Sequence, residues 1–141
     1  MNAKASINGI PEVIKKMRHF NLSVGNDNKT LIPQVAHNVL MDMKANAPVE
    51  TGRLRNALEA RVTKTNTEYT GAVVGITREA SRANPQFRKR KAFYPASQEY
   101  GWTERGRHHL GKPYIRPAFD KSRRIIVEKI AASVTGRING L

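Results

Sequence analysis

The 141-residue chain contains no cysteine, which excludes disulfides, thiolate metal ligands and cysteine nucleophiles. No apolar run approaches the roughly 20 residues that a membrane span needs. The first ten residues also lack the apolar segment of a secretory signal. We therefore expect a protein that is made in the cytoplasm and has no membrane partner. Aromatic residues make up only 6% of the chain, so its core must be mainly aliphatic.

Acidic residues are also scarce. The chain has 11 of them against 25 lysines and arginines, a formal net charge of +14. Such an excess favours contact with polyanions or with acidic protein surfaces. The hydrophobic share of 39% is compatible with a globular protein, and the length suits one domain. We expect a single domain over residues 1–141, with residues 1–9 as a flexible lead.

The sequence offers no catalytic pattern. Its acids are scattered without the pairing that acid–base hydrolysis needs, and no glycine-rich phosphate loop is present. The adjacent His108 and His109 lack the spacing of zinc ligands, so a solvated pair is the favoured interpretation. We expect no enzyme, no catalytic, cofactor-binding or metal-binding residues, and no small-molecule substrate.

Helical periodicity appears in three places. Ile10, Val13, Ile14 and Met17 have helical spacing. The segment 21–30, rich in Asn, Gly and Ser, favours a loop, after which Thr30 would cap a second helix that ends before Pro48. That helix, 30–47, has the most regular apolar stripe of the first half of the chain. The last helix is predicted over 117–138.

Between these helices the pattern changes to alternation. Thr51 is a plausible N-cap for one or two turns ending at Leu58, and Gly52 permits an unusual backbone turn. Residues 57–77 alternate with period two around a short polar link, which is typical of an antiparallel hairpin. Residues 92–100 are a candidate additional strand. The predicted fold class is α+β: an antiparallel sheet of two to four strands packed against a central helix and a long C-terminal helix.

Two segments, 78–92 and 101–113, are predicted to be extended loops, since neither shows periodicity. The first contains a cationic run, and the second contains two further arginines. We take these as candidate partner-contact residues: Arg88, Lys89, Arg90, Lys91, Arg105 and Arg107. With the nearby aromatics Phe87, Phe93 and Tyr94, the run could hold nucleic acid through phosphates and base stacking. An acidic protein partner and a merely solvated loop remain alternatives.

Two stretches have an ordered set of turn-forming residues, "NAPVETGRLRNAL" (46–58) and "YPASQEYGWTERGRHHLGKPYIRPAFDKS" (94–122). Together they resemble the tail-completion and head–tail joining (neck) proteins of long-tailed double-stranded DNA bacteriophages, similar in kind to the minor tail protein Z of phage lambda. The resemblance covers roughly residues 30–135. Members have a helix ending in Ala-Pro, then Thr-Gly-x-Leu-Arg and strands. A Tyr-Ala-x-x-x-Glu-Tyr-Gly element follows, and Pro-x-x-Arg-Pro-Ala then opens a final helix.

The matching residues are Ala47, Pro48, Thr51, Gly52, Leu54, Arg55, Tyr94, Glu99, Tyr100, Gly101, Pro113, Arg116, Pro117 and Ala118. One departure is Pro95, which stands where the family has alanine and cannot donate to a sheet ladder. Most matching residues shape the backbone or pack, so we interpret the motifs as structural corners. Arg55 and Arg116 are candidates to clamp carboxylates or carbonyls, with solvated arginines as the alternative.

The resemblance implies a structural virion protein without catalysis, located at the neck or tail top and in the host cytoplasm during assembly. It implies a ring of copies, expected to be a hexamer, that contacts phage connector and tail-tube proteins. The positive charge would then meet acidic surfaces of those proteins or DNA in the channel. The alternative function is a basic nucleic-acid-binding module.

Overall fold

The computed structural model describes residues 10–50, 52–65, 69–88 and 94–140. The helices in these ranges are α1 (Ile10–Asn46), α2 (Arg53–Ala57), α3 (Arg78–Ala83), a 3-10 turn (Pro85–Arg88), α4 (Tyr94–Tyr100) and α5 (Ile115–Asn139). The strands are β1 (Glu59–Thr65), β2 (Thr70–Gly75), β3 (Trp102–Glu104) and β4 (Arg107–His109). This mixture of helices and small antiparallel sheets confirms the predicted α+β class.

Helix α1 is the element on which the others pack. Its 37 residues correspond to about 55 Å at ~1.5 Å per residue. The β1–β2 hairpin and α5 both contact it, as predicted for a central helix. The buried core is made by side chains of α1, α2, the start of α5 and the residues beside them: Val35, Val39, Met43, Ala47, Leu54, Leu58, Tyr114 and Ala118. Met43 and Ala118 are fully buried.

The prediction of a loop at 21–30 is wrong, because α1 runs through it without a break. Thr30 is therefore not an N-cap. Its hydroxyl donates to the carbonyls of Asn26 and Asp27 at 3.3 and 3.0 Å, one turn earlier in the same helix. Asn and Ser only weakly disfavour a helix, and this segment also makes contacts with another part of the chain. Those contacts are made by Asp27 to α5.

Helix α5 lies antiparallel to α1, as ion pairs near its two ends indicate. Lys121 near its start lies 2.8 Å from Asp42, and Arg137 near its end lies 3.0 Å from Asp27. Asp27 also accepts a hydrogen bond of 2.7 Å from the Ser133 hydroxyl. The hydrogen bonds from Arg137 and Ser133 hold the pKa of Asp27 below its usual value. Exposed pairs of this kind stabilise little, but they specify the register of the two helices.

The β1–β2 hairpin has the predicted alternation. Ala60 is opposite Val74 and Val62 is opposite Ala72, so the apolar positions share one face. Val74 and its neighbour Ile76 pack against the core. The register shifts between Val62 and Lys64, which marks a bulge and adds twist to this short ribbon.

The candidate strand at 92–100 is wrong where the structure describes it, since Tyr94–Tyr100 is helix α4. Pro95 occupies the second helical position, where its missing N–H costs nothing. The loop prediction for 78–92 is also wrong in part. It contains α3, whose N-cap Thr77 accepts a hydrogen bond from the Ala80 N–H at 3.2 Å, and the 3-10 turn. Both elements are too short to produce a periodic signal in the sequence.

The segment 101–113 is likewise not an extended loop. Strands β3 and β4 form a small second antiparallel sheet, in which Trp102 is opposite His109 and Glu104 is opposite Arg107. Two three-residue strands are too short for alternation to be recognised. The predicted final helix is confirmed but begins two residues earlier, at Ile115, and ends at Asn139.

The burial of Met43 leads to a stability prediction. Met43→Ala should lower the free energy of unfolding by about 2–5 kcal/mol, because it removes apolar contact and leaves a cavity. Met41, on the same helix, is 54% exposed, so Met41→Ala should change stability by less than about 0.5 kcal/mol. Urea denaturation followed by circular dichroism measures both. Equal losses in the two variants would contradict the described orientation of α1.

Candidate functional site

The second motif stretch folds around one buried carboxylate. Glu99, near the end of α4, is only 5% exposed. Its Oε2 accepts hydrogen bonds from the backbone N–H groups of Tyr114 and Ile115 at 2.7 and 2.9 Å. Its Oε1 accepts from the N–H of Arg116 at 3.0 Å. The first N–H groups of a helix have no partner within the helix, and here one side chain satisfies three of them. Its negative charge also suits the positive end of the helix dipole.

Tyr114 is the N-cap of α5, but its side chain forms no capping bond. It points instead into the core, where it is 1% exposed. Its hydroxyl donates to the carbonyl of Pro95 at 3.3 Å, which ties α5 a second time to α4. Burial raises the pKa of Tyr114 to about 12, and the nearby Glu99 carboxylate acts in the same direction. Tyr114 therefore stays neutral over the whole physiological range.

Two glycines permit a close approach of the backbones on either side of the β3–β4 hairpin. Gly101 has φ of 85°, and a Cβ there would collide with the His109 carbonyl oxygen. A Cβ at Gly111 would lie 2.6 Å from the Gly101 nitrogen. The N–H of Lys112 donates to the Gln98 carbonyl at 2.7 Å. We name this arrangement, made by Glu99, Gly101, Gly111 and Tyr114, the joint.

The first motif stretch reaches the same core. Ala47 and Leu54 are 4% and 2% exposed and belong to the cluster that contains Tyr114. Between them, Gly52 has φ of 72° and is the N-cap of α2. The structure thus gives Gly52, and not Thr51, the capping position, and Thr51 itself lies outside the described residues. Helix α1 ends at Asn46, two residues before Pro48 and one residue before the predicted end.

The remaining motif residues have distinct positions around the joint. Ala118 is buried in the first turns of α5, while Pro113 and Pro117 are exposed on either side of its start. Tyr100, the last residue of α4, is 70% exposed. The structure therefore brings together the motif residues that pack and leaves Tyr100 on the surface.

Within the described residues, neither motif arginine forms a side-chain clamp. Arg55 and Arg116 are exposed, and neither forms an ion pair with a carboxylate in the described ranges. Only the backbone N–H of Arg116 takes part in the joint. Instead, the Glu99 carboxylate accepts hydrogen bonds from backbone N–H groups at the start of α5. These N–H groups need an acceptor because the side chain of the N-cap Tyr114 provides none.

The basic candidate residues that the structure describes, Arg88, Arg105 and Arg107, lie outside the joint. Arg88 ends the 3-10 turn, and Lys89, Arg90 and Lys91 lie outside the described residues, as does Phe93. Phe87 is 2% exposed, with its ring stacked 6.2 Å from that of Tyr94. The expectation that Phe87 stacks on bases beside the run is therefore wrong, because the core already covers its ring. Arg105 and Arg107 are exposed on the β3–β4 hairpin.

The role of Glu99 was missed in the sequence, although the residue belongs to a motif. A signal was available: the start of α5 has no Ser, Thr, Asp or Asn directly before it, so an acceptor had to come from elsewhere. Nothing in the sequence identifies Glu99, 15 residues before Tyr114, as that acceptor. Glu99, Gly111 and Tyr114 thus form a site that only the folded chain reveals.

In the described part of the chain, no three His, Asp or Glu side chains are grouped as metal ligands. No described helix combines the length and apolarity needed to cross a membrane. No protein-family model, curated protein or solved structure matches the chain.

The joint predicts a specific cost for a neutral side chain at position 99. Glu99→Gln keeps the size but leaves one acceptor oxygen for three N–H donors, so the variant should lose about 1–3 kcal/mol of stability. Glu128→Gln makes the same chemical change at an exposed site on α5 and should be nearly neutral. The urea midpoint measures both. A Glu99→Gln variant as stable as the control would mean that the carboxylate does not hold the helix start.

Tyr114 predicts alkaline sensitivity. An unfolded tyrosine has a pKa near ~10, whereas that of folded Tyr114 is raised to about 12. The folded state thus holds this proton more tightly. Its contribution to stability is complete below about pH 10 and is lost as the pH rises towards about 12. Burial raises the pKa of Tyr94 as well, so ultraviolet absorbance should show two of the four phenols ionising late, with Tyr114 last. Tyr114→Phe should remove the last step and Tyr100→Phe should keep it; the same last step in both variants would contradict the assignment.

Proposed function

We propose that this chain is a structural protein of a phage neck, which completes the tail and joins it to the head connector as a ring-forming component. The observation that carries the proposal is the ordered motif set over residues 46–58 and 94–122. Its packing members meet in one core, and the joint connects the second stretch to the start of α5. A turn, a close backbone approach and a buried helix cap are features that position elements. They provide no nucleophile or paired acid and base.

Exposed apolar surface supports a protein that assembles. Val13 and Met17, on the first turns of α1, are 56% and 65% exposed, and Phe119 and Val127, on α5, are 48% and 61% exposed. These positions belong to two long helices of a small domain whose core is thin. Copies in a ring would meet through different faces of the chain, in contacts that close by rotation. We propose six copies, in contact with connector and tail-tube proteins.

The experiment uses a bacterial host that produces the phage particles. The gene for this chain is disrupted in it. Disruption should leave filled heads and separate tails, and the wild-type chain supplied in trans should restore joined particles that contain it at the neck. Immunogold labelling in negative stain locates the chain. Its absence from finished particles, or normal joining without it, would overturn the proposal.

The cationic run gives the matching variant. Replacing Arg88, Lys89, Arg90 and Lys91 by glutamine should preserve the circular dichroism spectrum but impair joining, because the run is proposed to contact acidic neighbours or DNA. A control with the same loss of charge replaces Arg18, Arg123, Arg124 and Lys129 and should retain more of the joining activity. Normal infectious yield from the first variant would remove the run from the proposed contacts while leaving the neck assignment to the disruption experiment.

A further inference from the structure

The β3–β4 hairpin is an exposed, well-defined projection. Every residue from Thr103 to Leu110 is exposed. Its turn residues Arg105 and Gly106 have φ of 48° and 77°. Positive φ at both central positions is the geometry that best fits the twist of a two-residue hairpin turn. A side chain other than Gly, Asn or Asp is uncommon at such a φ, yet here an arginine occupies the tip.

The base of the hairpin is fixed to the rest of the domain. Gly101 and Gly111 hold its two ends together, and the Lys112 N–H donates to the Gln98 carbonyl. Above this base the rings of Trp102 and His109 stack at 4.8 Å, with 8° between their planes. Because the hairpin is already ordered, a ligand at its tip would order little further chain on binding.

The charged side chains of the hairpin are mainly cationic. Arg105 and Arg107 lie at the tip and Lys112 at the base, against the single acid Glu104. None of the three cations forms an ion pair with a carboxylate in the described ranges. A guanidinium offers a rigid fork of donors that matches phosphate oxygens. The turn and the start of β4 therefore present two guanidinium groups, neither of which forms an ion pair in the described ranges, although Glu104 lies opposite Arg107.

We propose that this hairpin binds the phosphate backbone of duplex DNA, independently of the neck assignment. A two-stranded ribbon is narrow enough for the major groove. A backbone with a phosphate every few ångströms gives two projecting arginines partners in any register. An acidic protein would need carboxylates at matched positions. The overall charge of +14 favours the approach of DNA by long-range attraction. The contact reads no base sequence, since phosphates carry none.

The test measures fluorescence anisotropy of a labelled 30-bp duplex with the purified chain between 50 and 200 mM NaCl. Arg105→Gln with Arg107→Gln should weaken binding and flatten the slope of log K against log salt by about 1.8, at ~0.9 per phosphate contact. The matched control, Arg123→Gln with Arg124→Gln, removes the same charge from the exposed face of α5 and should change the slope less.

The single tryptophan of the chain gives a second readout, because Trp102 lies in this hairpin. Adding unlabelled duplex should change its fluorescence in the wild type and in the α5 control. Polyglutamate of matched charge serves as the probe for an acidic protein surface. Equal losses in the two double variants, DNA binding without a tryptophan response, or tighter binding of polyglutamate would each overturn the proposal. The disruption experiment, whichever way it turns out, bears only on the neck assignment and not on DNA binding by the hairpin.

Discussion

The Glu99 carboxylate is the group on which the second half of the fold depends. It lies between the end of α4 and the start of α5, and it accepts hydrogen bonds from three backbone N–H groups. The N-cap side chain of α5 forms no such bond. A buried anion is costly unless it is fully hydrogen-bonded, and an uncapped buried helix start is costly as well. Each of these costs is offset by the other group. The pairing therefore fixes α4 against the first turn of α5 and directs Tyr114 into the core.

Beyond its start, α5 runs along α1 through apolar contacts and exposed ion pairs. The apolar face contributes Ala118 and Ile126 to the core, while Asp42 and Asp27 pair with Lys121 and Arg137 at opposite ends. Exposed ion pairs contribute little free energy, but a register that is wrong by one turn would lose both. The same pairing places the polar stretch around Asp27 beside α5, in contact with residues more than a hundred positions away in the sequence.

The difference between local patterns and contacts of distant residues separates what the sequence could predict from what it could not. The second half of α1, the β1–β2 hairpin and α5 were predicted because their apolar residues repeat with the period of the element, and because Pro48 and Gly52 mark corners locally. The segment 21–30 was predicted wrongly because its local composition disfavours a helix only weakly and gives no sign of the contact with α5. Helix α4 and the strands β3 and β4 are too short for the repeat of apolar residues to be recognised in the sequence. The cap by Glu99 joins residues 15 positions apart, which no local pattern encodes.

The joint and the β3–β4 hairpin share the backbone at Gly101 and Gly111, so the buried helix cap and the exposed hairpin are directly connected. Gly101 and Gly111 permit the close approach that brings Glu99 to the start of α5, and the same two residues close the base of β3–β4. The base of the hairpin therefore lies next to the cap, whereas its tip is exposed. Changes at Arg105 or Arg107 would alter the charge of the hairpin without touching the helix start, whereas a change at Glu99 would act on the backbone that the two share.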